Sequence, residues 1–105
     1  MAEKPVAELE QLLEQFPEIL WHHCPDSRGC HGSPGMPDFV VVAPRGVAFR
    51  EAKPPGQHPR GGQVEWKYRL AGNGLSWALW TQRDLDNGLV RAELEQLLGV
   101  AHEEE

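Results

Sequence analysis

Apolar residues recur at helical spacing from residue 6 to residue 16. Val6, Leu9, Leu12, Leu13 and Phe16 form one stripe, and Pro17 ends the run. A short strand is predicted at 19–22, through Ile19, Leu20, Trp21 and His22. Residues 24–35 are polar and broken by Gly and Pro, which predicts a loop. Two apolar runs follow, at 38–43 and 47–53, and read as strands joined by the turn Ala43-Pro44-Arg45-Gly46. A second loop at 54–62 leads into a helix at 63–71, which Gly72-Asn73-Gly74 ends; Gln63, Trp66 and Leu70 share one of its faces. A strand at 75–81 and the turn Asp86-Asn87-Gly88 precede a last helix at 89–98, whose Leu94, Leu97 and Leu98 are expected to cover the core. The pattern predicts one α/β domain with its core in about residues 6–98, no internal repeat, and a solvated acidic tail at 102–105.

The two central strands carry the chemistry. If Ala43 faces Gly46, then Val42 meets Val47, Val40 meets Phe49, and Asp38 meets Glu51. Directly opposed residues have Cβ atoms about 4.5–5.5 Å apart, close enough for two carboxylates to share one cation. Lys53 lies two residues beyond Glu51 and so points to the same face. Two carboxylates and a lysine at a strand end suit metal-assisted hydrolysis. Mg²⁺ takes hard oxygen ligands, commonly one or two carboxylates, with substrate phosphate and water completing the shell. A surface salt bridge is the ordinary reading of an isolated acid-x-Lys. The apolar hairpin and the leading Met36-Pro37-Asp38 favour a site instead.

The ordered series Asp26-Ser27-Arg28, Gly35-Met36-Pro37-Asp38, Glu51-Ala52-Lys53, Gln63, Trp66 and Trp80 resembles the VRR-NUC group of the PD-(D/E)XK nucleases, in its short stand-alone phage and bacterial form. The resemblance covers residues 22–80. It implies an α-β-β-β-α-β core with a C-terminal helix, and a metal-dependent endonuclease related to Holliday-junction resolvases. By position it makes Asp38 and Glu51 metal ligands, with the Ala52 carbonyl as a third. Lys53 becomes the catalytic lysine and Gln63 the glutamine near the active centre. Arg28, His58 and Arg60 are the candidates for holding the nucleic-acid backbone. The implied cofactor is Mg²⁺ or Mn²⁺, and the implied partner is DNA, in particular branched or junction DNA, held by a homodimer. The first-helix glutamate of many relatives has three contenders here, Glu3, Glu8 and Glu10. The chain departs from the group in its Pro- and Gly-rich connection at 54–62 and in the small Ala52.

A net charge of −6 over 105 residues argues against nucleic acid until its distribution is read. Residues 1–27 and 70–105 are each net −5, whereas 28–69 carry seven Lys or Arg against three acids. The middle of the chain is therefore a cationic segment suited to phosphate contact. No apolar run nears the roughly 20 residues that span a bilayer, and no signal peptide opens the sequence, so a soluble cytoplasmic protein is expected, bacterial or in a phage's host.

Cys24 and Cys30 are too few for a disulfide scaffold and are expected as free thiols. Together with His31 and one of His22 or His23 they could instead supply four zinc ligands, although the spacing lacks a C-x-x-C. The competing function is thus a noncatalytic nucleic-acid-binding or zinc-stabilised module on the same fold. Arg28 either contacts phosphate or pairs with Asp26. Trp21, Trp66, Trp77 and Trp80 are expected in the core rather than as stacking platforms for bases.

Overall fold

In the computed structural model, residues 4–24, 31–54 and 56–99 are described. They form α1 (Val6–Leu13), β1 (Leu20–His23), β2 (Phe39–Ala43), β3 (Gly46–Ala52), α2 (Gly62–Gly72), β4 (Ser76–Trp80), α3 (Gln82–Asp86) and α4 (Leu89–Leu98). The sheet runs β1-β2-β3-β4. The first two pairings are antiparallel, and β3 pairs with β4 in parallel. A parallel neighbour needs a crossover, and α2 supplies it. Up to β4 the order of elements is the expected α-β-β-β-α-β.

The central hairpin has the register expected from its turn. Ala43 faces Gly46, Val42 faces Val47, and Val40 faces Phe49, with Phe39 opposite Arg50 extending the ladder. Alternation then divides the sheet. Phe39, Val41, Ala48, Ala52 and Trp80 join Leu9, Leu12 and Leu13 of α1 and Val90 and Leu94 of α4 in one core. Phe49, Glu51, Trp77 and Leu79 take the opposite face, with α2 against β4. Leu97 and Leu98 pack at the margin of the core, and the Arg45 N–H donates to the Leu97 carbonyl at 2.9 Å, tying the hairpin turn to the end of α4.

Arg50 stands on the core side, 5% exposed, between the small residues Ala48 and Ala52. Its guanidinium donates to the Phe49 and Ser76 carbonyls at 3.0 and 3.1 Å and to Glu93 Oε1 at 3.2 Å. The same carboxylate oxygen accepts from Trp80 Nε1 at 2.9 Å. One of the seven central cations is thus consumed inside the fold.

Two elements differ from the sequence expectation. Helix α1 stops at Leu13 rather than residue 16, and the last stretch before Pro17 closes as turns, Gln15 N–H to Leu12 and Phe16 N–H to Leu13. The residue before a proline is disfavoured in the α region, which favours this early exit. Helix α3 was not expected. It is held by a reciprocal cap, in which Thr81 Oγ1 accepts from the Asp84 N–H at 3.3 Å and Asp84 Oδ2 accepts from the Thr81 N–H at 3.0 Å.

The loop ahead of β2 is pressed against the start of α2. Gly35 has φ +95°, and a Cβ on Gly35 or on Gly62 would overlap the other segment's backbone. Trp66 Nε1 donates to the Pro34 carbonyl at 3.1 Å, so α2 grips the same loop twice. Gly62→Ala is expected to lift this loop from α2 and to lower stability by about 2 kcal/mol, the usual scale of overpacking. Urea unfolding checks it. Among the described residues no helix is long and apolar enough to cross a membrane.

Candidate active site

Asp38 directly precedes β2, after the buried Pro37, and its carbonyl accepts from the Cys24 N–H at 2.9 Å. That bond keeps Asp38 in line with the sheet. Its side chain then crosses the hairpin, where Oδ1 accepts from the Ala52 N–H at 2.9 Å. Glu51, the penultimate residue of β3, is 3% exposed and shares a side-chain hydrogen bond with Asp38. Glu51 Oε2 also accepts from Gln63 Nε2 at a long 3.4 Å. Gln63 is oriented for this by its own loop, because its Oε1 accepts from the Arg60 N–H at 3.2 Å. Glu51 Oε1 is buried and has no hydrogen-bond partner among the described residues. Lys53, 6% exposed, is fixed by its backbone N–H, which donates to the Trp80 carbonyl at 3.1 Å.

Asp38, Glu51, Gln63 and Lys53 therefore come together at one end of the hairpin. Burial and then the charge of Asp38 push the Glu51 carboxyl from 4.5 up to about 7, against the opposing pull of Lys4 and Lys53. The hydrogen bond that the neutral Glu51 carboxyl donates to Asp38 raises it further. Burial and a neighbouring carboxylate thus both oppose ionisation of Glu51. A cation at the same place would relieve both the repulsion between the carboxylates and the unpartnered oxygen.

The donor set fits a hard divalent ion. It offers carboxylate oxygens, one of them without a partner among the described residues, beside the buried Ala52 at the end of β3. No group of three or more His, Cys, Asp or Glu is placed to hold a metal among the described residues. Two carboxylates are nonetheless the usual protein share of a Mg²⁺ shell completed by water and phosphate.

The remaining candidates are spread more widely. His58 and Arg60 are exposed on the loop that leads into α2. Asp26, Ser27 and Arg28 lie outside the described residues. Of the first-helix glutamates, Glu10 is engaged elsewhere, its Oε2 lying 3.1 Å from Nδ1 of His23, whose ring stacks on Phe39. Glu8 lines a cleft with Leu85 and Arg91, and Glu3 is outside the described residues. Arg69 pairs with Glu65, and Lys67 lies over the Trp77 and Tyr68 rings. Fewer free cations thus face solvent than the sequence suggests.

The alternative zinc set does not assemble among the described residues. Cys24 is disulfide-bonded rather than a free thiol, His23 is stacked and paired, and His22 and His31 are exposed. Cys30 lies outside the described residues. Among the tryptophans, Trp80 is in the core as expected, while Trp21, Trp66 and Trp77 are only half-buried.

One site residue had no sequence signal. Lys4 Nζ lies 3.4 Å from Asp38 Oδ2, across 34 positions of chain. No family model, no curated protein and no solved structure matches this chain.

Proposed function

We propose that this protein is a metal-dependent endonuclease of the PD-(D/E)XK type, close to the VRR-NUC group, that hydrolyses DNA phosphodiester bonds. The observation that carries the reading is the buried Asp38–Glu51 pair at the hairpin end, with one carboxylate oxygen lacking a partner among the described residues and Lys53 on the same face. The order α-β-β-β-α-β supports it as well.

Asp38, Glu51 and the Ala52 carbonyl would hold Mg²⁺ or Mn²⁺. When bound, such an ion polarises a phosphoryl oxygen and lowers the pKa of a coordinated water. The chain's own residues do the rest. Glu51 gives up its proton, so that its carboxylate would face the ion ionised beside that of Asp38. Gln63 holds Glu51 in position through its amide. Lys53, buried beside the pair, orients the attacking water and neutralises charge that builds on the phosphate. Arg60 and His58, together with Arg28, steady the nucleic-acid backbone. A two-fold homodimer, which would set two centres on one branched DNA, belongs to the same proposal and is read from the mass in solution.

The experiment is cleavage of labelled four-way-junction, flap and linear duplex DNA, with RNA alongside, in Mg²⁺ or Mn²⁺ and in chelator. Cutting that needs the metal supports the reading, and preference for branched DNA assigns the substrate class. Binding without cutting, from folded protein in both metals, would favour the noncatalytic module.

A further inference from the structure

We propose that Lys4 is a built-in counter-cation of the metal centre: its ammonium holds the Asp38 carboxylate when no divalent ion is bound, and the ion must displace it. The inference rests on the nuclease reading of the same site and adds to it a residue that sets the metal threshold.

The geometry divides the two oxygens of Asp38. Oδ1 is committed to the Ala52 N–H at 2.9 Å, a bond within the sheet framework. Oδ2 is left for a cation, and Lys4 Nζ takes it at 3.4 Å. This contact is long, and the Lys4 side chain is 45% exposed whereas that of Asp38 is 10% exposed. Such a pair is weak and exchanges readily with solvent ions. Its location is nevertheless fixed by the fold. The neighbouring Pro5 is buried, its carbonyl accepts from the Leu9 N–H at 3.0 Å, and Leu9 and Leu13 anchor α1 in the core. The backbone at Lys4 therefore stays beside the centre while the flexible four-carbon stem can swing away.

The charge balance points the same way. Among the described residues, Lys4 and Lys53 are the cations that act on Glu51, set against the carboxylates of Glu51 and Asp38. Lys53 is buried and cannot leave without disturbing β3, whereas Lys4 can. An ammonium and a divalent ion cannot both occupy Oδ2 without strong repulsion. At low free metal Lys4 keeps the carboxylates neutralised, and at higher metal it yields. The centre thus responds to metal concentration through a residue just ahead of α1 rather than through a change of fold.

Calorimetric titration with Mn²⁺ at pH 8, on the full chain, tests this for wild type, Lys4→Met, Lys4→Arg and Asp38→Asn, with folding checked by circular dichroism. Lys4→Met is expected to bind Mn²⁺ about two- to fivefold more tightly than wild type, and Lys4→Arg to bind as weakly as wild type. Loss of binding in Asp38→Asn ties the signal to this centre. Equal affinity of wild type and Lys4→Met, with Asp38→Asn still abolishing binding, overturns the role of Lys4 and leaves the metal centre standing. No Mn²⁺ binding by wild type or by either Lys4 variant overturns both.

Discussion

Glu51→Gln is expected to stabilise the metal-free protein at pH 8 by about 3 kcal/mol, a rise in Tm on the order of 10 °C, while abolishing divalent-metal binding. The reason is the raised carboxyl of Glu51, which titrates near 7 in the folded chain against 4.5 ordinarily. Below about pH 4.5 the group is neutral in both folded and unfolded states and adds no cost. Between 4.5 and 7 the folded state holds the extra proton, so stability falls as pH rises. Above 7 the full cost of a buried carboxylate beside Asp38 is present. Glutamine is neutral throughout, and its carbonyl can still accept from Gln63. Thermal unfolding of both proteins at pH 4, 6 and 8 checks this. The variant's advantage should be near zero at pH 4 and grow towards pH 8. Parallel curves at all three values would mean that Glu51 carries no excess proton. A residue that weakens the fold where it would serve a metal is the usual trade of stability for function.

Lys53→Met is expected to reduce metal-dependent cleavage by about 10²- to 10⁴-fold, with the fold kept. Lys53 is 6% exposed, so its stem already lies among protein atoms, and methionine retains most of that packing. What disappears is the ammonium beside the carboxylate pair. Loss of a nearby positive charge leaves Mn²⁺ affinity equal to wild type or tighter, so a metal-binding defect cannot account for lost cutting. Cleavage rates, Mn²⁺ titration and a melting curve on one preparation separate these effects. Cutting at the wild-type rate would remove Lys53 from the chemistry.

The hairpin was legible because its turn and its apolar alternation fix a single register, and that register carries Asp38 towards the end of β3. The last helix was legible for a similar reason, since the turn at Asp86-Asn87-Gly88 and its leucines set both bounds. Helix α3 was missed because five residues are too few for a periodic signal. The spacing of Thr81 and Asp84 was the clue available, as a hydroxyl three residues before an acid marks a helix start. The charge count alone places Arg50 in the cationic central segment. Alternation from Phe49 and Glu51 already places it on the other face, and the flanking Ala48 and Ala52 leave room for it there. Lys4 had no comparable sign. Its contact with Asp38 spans 34 positions and exists only once α1 has packed on the sheet. The same holds for the pairing of Glu10 with His23, which left the three first-helix glutamates indistinguishable by pattern.

The rate of four-way-junction cleavage as a function of Mn²⁺ concentration, taken at pH 6 and pH 8 with Asp38→Asn in parallel, tests the metal centre most directly. The prediction is saturable cutting by wild type and none by Asp38→Asn. Half-saturation should fall at lower Mn²⁺ at pH 8, because Glu51 must lose its proton to bind the ion and does so near 7. Folded protein that cuts at no metal concentration, or cutting that survives in Asp38→Asn, would contradict it.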